Sequence, residues 1–239
     1  MTFHSQFKQD SWLEANIFRG FKNGIFMDVG AHDGKTMNNT LYFEQTHGWT
    51  GINIEPLKDV FVRLVDNRPN CMNINCAVSS WEGTAEFIKN MGYTEMLSGL
   101  KDHYHPNHLQ RLNYELSSYG GSSEVVLVDT RRVDRICEEN GINHIHYLSI
   151  DVEGAEYDVV QSINFDRVFI DVIGFENNYR DTSLPIIEYL RSKGYVTCGD
   201  DTTHKNLDTF MIHQNSQFYA PSISAKPHFP RFVWNVRRS

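Results

Sequence analysis

Ile25-Phe26-Met27-Asp28-Val29-Gly30-Ala31-His32-Asp33-Gly34 is the stretch that decides the fold. A short apolar run ends in an acidic side chain and meets two glycines four positions apart, which reads as a strand entering a tight turn open to a ligand. Outward from it the pattern repeats. Gly51–Glu55 ends at Pro56, Asn73–Val78 at Ser79-Ser80, His146–Ile150 at Asp151, and Val168–Ile173 near Glu176. Helical patterns fill intervals such as Lys58–Asn67 and Ala155–Ile163. Strands alternating with helices predict a mostly parallel sheet with helices on both faces. Tyr195–Thr197 and Thr209–Ile212 flank a turn-rich link with no helical pattern, so the last strand is expected to be antiparallel. Ile88–Ser123 breaks the rhythm and reads as an insertion lid or specificity loop, followed by an extra strand at Val125–Val128. The expected division is one domain over residues 1–213, with the insertion at about 88–123, and a tail over 214–239.

Composition narrows the function. Hydrophobic content of 40% and charged content of 22% are those of a globular domain, and no apolar run is long enough to span a bilayer. The polar opening MTFHSQFKQD carries no signal-peptide pattern, so a cytoplasmic location is expected. A net charge of −8 argues against phosphate-driven nucleic-acid binding. The exception is the tail, where Lys226, Arg231, Arg237 and Arg238 mix with Phe229, Phe232 and Trp234; it reads either as packed on its own domain or as a contact for a partner. Cys71, Cys76, Cys137 and Cys198 form no CxxC pair and are expected to be reduced. A homo-oligomer is left open.

The first turn fails G-x-G-x-x-G, which disfavours a nicotinamide dehydrogenase, and no Walker lysine follows. Glu55 closes the second strand about twenty residues beyond Gly34, where a carboxylate can accept both hydroxyls of a ribose. Two adjacent strand tips then contact one nucleoside. Its base would lie beyond the third strand, near Asn75, Ala77 and Val78.

These residues carry a resemblance. Gly30–Gly34, Asn38-Asn-Thr-Leu-Tyr-Phe-Glu44, Gly48-Trp-Thr-Gly-Ile-Asn-Ile-Glu-Pro56, Ser5-Gln-Phe-Lys-Gln-Asp10 and Leu148-Ser-Ile-Asp-Val-Glu-Gly-Ala-Glu156 resemble the FkbM-type methyltransferases. The resemblance implies a Rossmann-like class I fold, with a seven-stranded sheet ending in the antiparallel strand. It implies that Asp28, Gly30 and Glu55 bind S-adenosylmethionine. The matching motifs add Ala31, Gly34, Asn39, Thr40, Pro56 and Asp151 to the cofactor contacts, and Gln9 and Asp10 as a cap. It also implies a hydroxyl acceptor, often on a sugar or glycan.

A second cluster, Asp151-Val-Glu-Gly-Ala-Glu156, follows the fourth strand, and Glu176-Asn177 follows the next. Carboxylates crowded at strand tips must be solvated, paired or bound to a cation. Strand alternation would aim Asp151 and Glu153 the same way, while Glu156 suits the first turn of a helix. Three readings stay open. Asp151, Glu176 and Asn177 would hold Mg²⁺ or Mn²⁺; or Asp151, Glu153 or His32 would act as a metal-free general base; or the carboxylates would be structural. His103, His105 and His108 read as exposed loop residues or as sugar contacts. A lipid or polyketide hydroxyl is the alternative acceptor, and a non-catalytic nucleoside-binding module the alternative class.

Overall fold

The computed structural model describes residues 2–198 and 208–220. The chain begins with helix α1 (Gln9–Leu13), which runs into a π-helical turn, Glu14–Phe18. Strand β1 (Ile25–Val29), helix α2 (Leu41–His47), strand β2 (Thr50–Ile54), helix α3 (Lys58–Asn67) and strand β3 (Met72–Ile74) form the first half of the sheet. The second half contains helix α5 (Val133–Glu139), strands β8 (His144–Ile150) and β9 (Phe169–Phe175), helices α6 (Glu156–Gln161) and α7 (Arg180–Ser192), and strands β10 (Tyr195–Thr197) and β11 (Thr209–His213). The seven strands lie in the order β10-β11-β9-β8-β1-β2-β3. Only β11 runs against its neighbours, pairing antiparallel with both β9 and β10. The expected mostly parallel sheet with an antiparallel last strand is therefore present.

Each face of the sheet has its own core. Aliphatic residues including Val29, Ile52, Leu148 and Ile173 pack against Val133 and Ile136 of α5, Val159 and Val160 of α6, and Ile186 and Leu190 of α7. The other face is aromatic: Trp12 and Phe18 at the N-terminus join Tyr42 and Phe43 of α2, with Phe26, Trp49, Tyr147 and Phe210. Phe18 meets Phe43 and Trp49 edge-on at 5.2 and 4.8 Å between centroids, the arrangement favoured by ring quadrupoles. Phe218 also lies edge-on to Phe18 and Phe21, so the beginning of the expected tail packs on this core. The basic and aromatic residues from Lys226 onward lie outside the described residues.

Between the halves stands a second sheet. Strands β4 (Ala77–Val78), β5 (Gly83–Met91), β6 (Gly99–Leu100) and β7 (Ser122–Arg131) lie in the order β4-β7-β5-β6, and helix α4 (Pro106–Tyr119) connects β6 to β7. The expected insertion, 88–123, thus starts and stops inside a paired ribbon, and the extra strand at Val125–Val128 is the middle of β7. The single strand expected over Asn73–Val78 is divided. β3 pairs with β2, whereas Ala77 and Val78 pair with Thr130 and Arg131 of β7. The break follows from Asn75, whose amide donates to the carbonyls of Glu55 and Pro56 at 2.8 and 2.9 Å and turns the chain. A small apolar cluster of Leu57, Val60, Ala77, Phe87, Leu100, Val128 and Ala155 seats this sheet on the main domain.

Candidate active site

The turn after β1 is held at both ends. Gly30 has φ 86°, and a Cβ there would stand 1.8 Å from the carbonyl oxygen of Asp151, so only glycine lets the β1 and β8 tips meet. The amides of Gly30 and Ala31 donate to Ile54 O at 3.0 Å each. Asp28 is buried beneath the turn, where its carboxylate accepts from Asn38 Nδ2 at 2.8 Å and Thr40 Oγ1 at 2.9 Å. Burial raises its pKa, and the charge of Arg68 is the chief opposing influence. Glu55, at the tip of β2, accepts from the backbone amides of Leu57 and His32, and burial pushes its carboxyl up to about 7.

This half suits a nucleoside cofactor. The buried carboxylate of Glu55 is met by backbone donors alone, which leaves lone pairs for a ribose diol. Asn39 donates to Ser149 Oγ at 3.2 Å, and its buried Oδ1 has no partner among the described residues. Both acceptors await donors of the kind a nucleoside with an amino-acid arm supplies.

The tips of β8 and β9 carry the second half. Asp151, Glu153 and Glu176 each bring an oxygen within 4.8 Å of the others. Strand alternation does not explain this. β8 ends at Ile150, and Glu153 turns inward through a left-handed backbone, φ 55°. Asp151 keeps accessible surface, yet desolvation and the neighbouring Asp208, Glu156 and Asp28 push its carboxyl up to about 8. Desolvation first, and then like charge, also hold Glu153 and Glu176 well above the usual carboxylate range. The insertion closes over these groups. His108 of α4 places Nδ1 3.2 Å from Glu153 Oε2, His103 pairs with Asp158 at 3.3 Å, and His105 pairs with Asp181 at 3.2 Å while stacking on Tyr179. A narrow crevice of about 10 Å³ results, lined by His105, His108, Glu153, Glu176, Asn178 and Tyr179 and roomy enough for about one water.

A domain model described as the methyltransferase FkbM domain matches residues 28–197, from the β1 carboxylate through β10. The chain belongs to the FkbM methyltransferase family. The matching family model is that of a methyltransferase domain, and the sheet has the Rossmann-like order with its one antiparallel strand. A sequence search of curated proteins returned no match. Similar solved structures include an FkbM methyltransferase from Methylobacillus flagellatus KT, at 13% identity and TM-score 0.48, covering 80% of this chain and 44% of that one. The N-terminal domain of human METTL16 is 12% identical, with TM-score 0.44, over 88% of this chain and 68% of that one. M. capricolum TrmK bound to S-adenosylhomocysteine is 9% identical, with TM-score 0.43, over 88% and 69%. The chain spans less than half of the Methylobacillus protein, and the family assignment rests on the domain match alone.

Within this FkbM domain, the residues expected at the site fall into three groups. Asp28, Gly30, Ala31, Gly34, Asn39, Thr40 and Glu55 gather around the β1 turn, whereas Asp151, Glu153 and Glu176 converge beside it. His32 stays on the cofactor side: its ring lies between Asp33 and Glu95, with Nε2 3.6 Å from Glu95 Oε2. Asn177 turns away to donate to Thr209 Oγ1 at 2.9 Å, and Glu153 supplies the third oxygen of the carboxylate group. Asn75 spends its amide on the backbone, and Ala77 is buried in the cluster that seats the second sheet. Asp10 caps the N-terminal turn by accepting from Ser5 and His4, and Glu156 accepts from the amides of Val152 and Gly154 ahead of α6. Sequence reasoning missed Arg68, Glu95 and Asp208. Asp208 is bonded to Gln9, and burial pushes it up to about 6.

A second group, His144, His146 and Asp171, gathers elsewhere in the sheet. It does not make a ready metal site. His146 Nδ1 accepts from the Ile25 amide at 2.9 Å, which keeps the ring proton on Nε2, the other candidate ligand atom. No helix among the described residues is long and apolar enough to cross a membrane.

Proposed function

We propose that this domain transfers a methyl group from S-adenosylmethionine to a hydroxyl oxygen of a sugar in a glycan or glycoconjugate. The observation that carries this reading is the convergence of Asp151, Glu153 and Glu176 next to the Gly30 turn, with Glu153 and Glu176 also lining a crevice of hydroxyl, amide, imidazole and carboxylate groups. S-adenosylmethionine supplies an electrophilic methyl carbon. Gly30 and Asn39 set the place of its amino-acid arm, and Glu55 accepts the ribose hydroxyls. The base lies toward Asn75, Pro56 and Ala77, at the junction with the second sheet.

A sugar hydroxyl is a poor nucleophile near neutrality, so the acceptor side must draw off its proton. Three hard oxygen donors in one group fit Mg²⁺ or Mn²⁺, which would be held by Asp151, Glu153 and Glu176 and would acidify a vicinal diol. A cation would also keep these carboxyls ionised, so that one of them could take the hydroxyl proton. A second version without metal uses the ionised fraction of Asp151 as the general base, which takes the hydroxyl proton and relays it to solvent at its exposed edge. Hydroxyl, amide and ring groups at Thr182, Asn178, Tyr179 and His105 offer hydrogen-bonding partners to a sugar, and the crevice they line, about 10 Å³, would have to widen to admit one.

Incubation with labelled S-adenosylmethionine and a panel of rhamnose, fucose and hexose glycans tests the acceptor. Label in a methyl ether is expected. Transfer only to amines, or to a lipid hydroxyl, would overturn it. Exhaustive EDTA treatment separates the two versions: loss of transfer restored by Mn²⁺ supports the cation, and undiminished transfer supports the relay.

A further inference from the structure

We propose that Arg68, assisted by Asn67, is the positioning residue of the cofactor site, clamping the turn after β1 from beneath and setting Asp28 in place. The inference rests on the reading of that turn as the cofactor site.

Arg68 follows the last turn of α3 and is fully buried, which is costly for a guanidinium unless every bond is met. Its partners all lie on one segment, residues 34–44. Nη1 donates to Gly34 O at 3.1 Å and to Asn38 Oδ1 at 3.0 Å, Nη2 to Thr40 Oγ1 at 3.1 Å, and Nε to Glu44. Asn67 donates to Asp33 O at 2.8 Å, so two successive residues take two successive carbonyls of the turn. The turn is pressed hard onto them. A Cβ at Gly34 would stand 2.6 Å from Arg68 Cγ and 2.5 Å from Leu64 Cδ1.

Asp28 never touches Arg68. It is held by Asn38 and Thr40, and both of these are held in turn by the guanidinium. Thr40 passes its hydroxyl proton to Asp28 and accepts from Arg68, while Asn38 presents its oxygen to Arg68 and its amide to Asp28. The arginine thus joins the amides of Thr40 and Leu41 in orienting Asn38, and it supplies the donor to the Thr40 hydroxyl. Nε anchors the side chain to Glu44 of α2, and the guanidinium lies over the Phe26 ring, while both terminal nitrogens are given to the cofactor turn and its exit at Thr40. Only the planar fork of arginine spans these partners, and a lysine carries one point of attachment.

The test is calorimetric titration of S-adenosylhomocysteine into wild type, Asn67→Ala, Arg68→Lys and Arg68→Met across pH 6–8. Amide hydrogen exchange over residues 30–40 is measured in the unliganded proteins. With one to four hydrogen bonds removed, affinity should fall roughly 3-fold in Asn67→Ala, about 10-fold in Arg68→Lys and about 100-fold in Arg68→Met. Exchange over 30–40 should rise in the same order, with the remaining amides unchanged. Removal of the countercharge should also make affinity in Arg68→Met fall more steeply toward pH 6 than in wild type, and Asp28→Asn should abolish that extra slope. Should Arg68→Met fail to fold, Asn67→Ala, at an exposed position, and Arg68→Lys carry the test. Wild-type affinity and exchange in both would overturn the clamp. Failure of the wild type to bind would overturn the cofactor reading instead.

Discussion

The two halves of the site use carboxylates in opposite ways. Beneath the β1 turn one buried carboxylate, Asp28, has donors from Asn38 and Thr40 and a nearby guanidinium. Beyond β8 and β9, Asp151, Glu153 and Glu176 crowd together, with a histidine approaching Glu153. The first is a closed network whose shape is set before any ligand arrives. The second stores unfavourable charge that a proton or a cation relieves. Under the proposed function, preorganisation would serve cofactor binding and the stored charge the acceptor chemistry.

The difference is breakable by removing a carboxylate from each half. Asp28→Ala should destabilise the protein by about 1–3 kcal/mol in urea unfolding, because it leaves the Asn38 and Thr40 donors unpaired in the interior. Glu176→Gln should have the opposite sign and raise the melting temperature of the metal-free protein at pH 8. Equal losses in both variants would erase the distinction.

The pH dependence sharpens it. Asp151, pushed up to about 8, and Asp208, pushed up to about 6, hold protons in the folded chain that the unfolded chain releases near 3.8. Their contribution is most favourable below pH 4 and is lost as pH rises through 8. Thermal melts of the metal-free protein should therefore show this loss between pH 5 and 8.5, with a smaller slope in Asp151→Asn. Millimolar Mn²⁺ should flatten the wild-type slope if the cation version holds.

The cofactor half has its own titration. Glu55 must be ionised to accept both ribose hydroxyls, and burial pushes it up to about 7. S-adenosylhomocysteine affinity should thus fall about 10-fold from pH 8 to pH 6, as one pH unit below that value leaves about a tenth of the sites ionised. A smaller effect is expected at the lid. His105→Ala removes the pair with the exposed Asp181, the stack on Tyr179 and the acceptor for the Asn107 amide at the start of α4, and should lower stability slightly while raising KM for the acceptor.

What could be read in advance follows the range of the forces involved. The β1 turn, Glu55 and the antiparallel ending are local patterns, and each survives in the structure. Asp151 and Glu153 do come together as the sequence suggested, but through a left-handed residue that strand periodicity does not encode. Arg68 was illegible because the end of an amphipathic helix gives no sign that its guanidinium will fold under a loop thirty residues earlier. Asp208 sits at the edge of a turn-rich stretch, and only the pairing of β11 with β9 brings it toward Asp151. Asn177 carried the right chemistry, yet Thr209 on that same antiparallel strand claimed its amide. Each miss depends on a contact between distant segments.

The division of labour itself has one direct measurement, S-adenosylhomocysteine titration into Asp151→Asn and Glu55→Ala at pH 8. Two charge-assisted bonds to the ribose reside in Glu55, so its variant should bind about 100-fold more weakly than wild type. Asp151→Asn should bind within a few-fold of wild type, about the effect of one weak neutral contact, while losing transfer to an acceptor. Comparable losses of affinity in the two variants would contradict the two-part site.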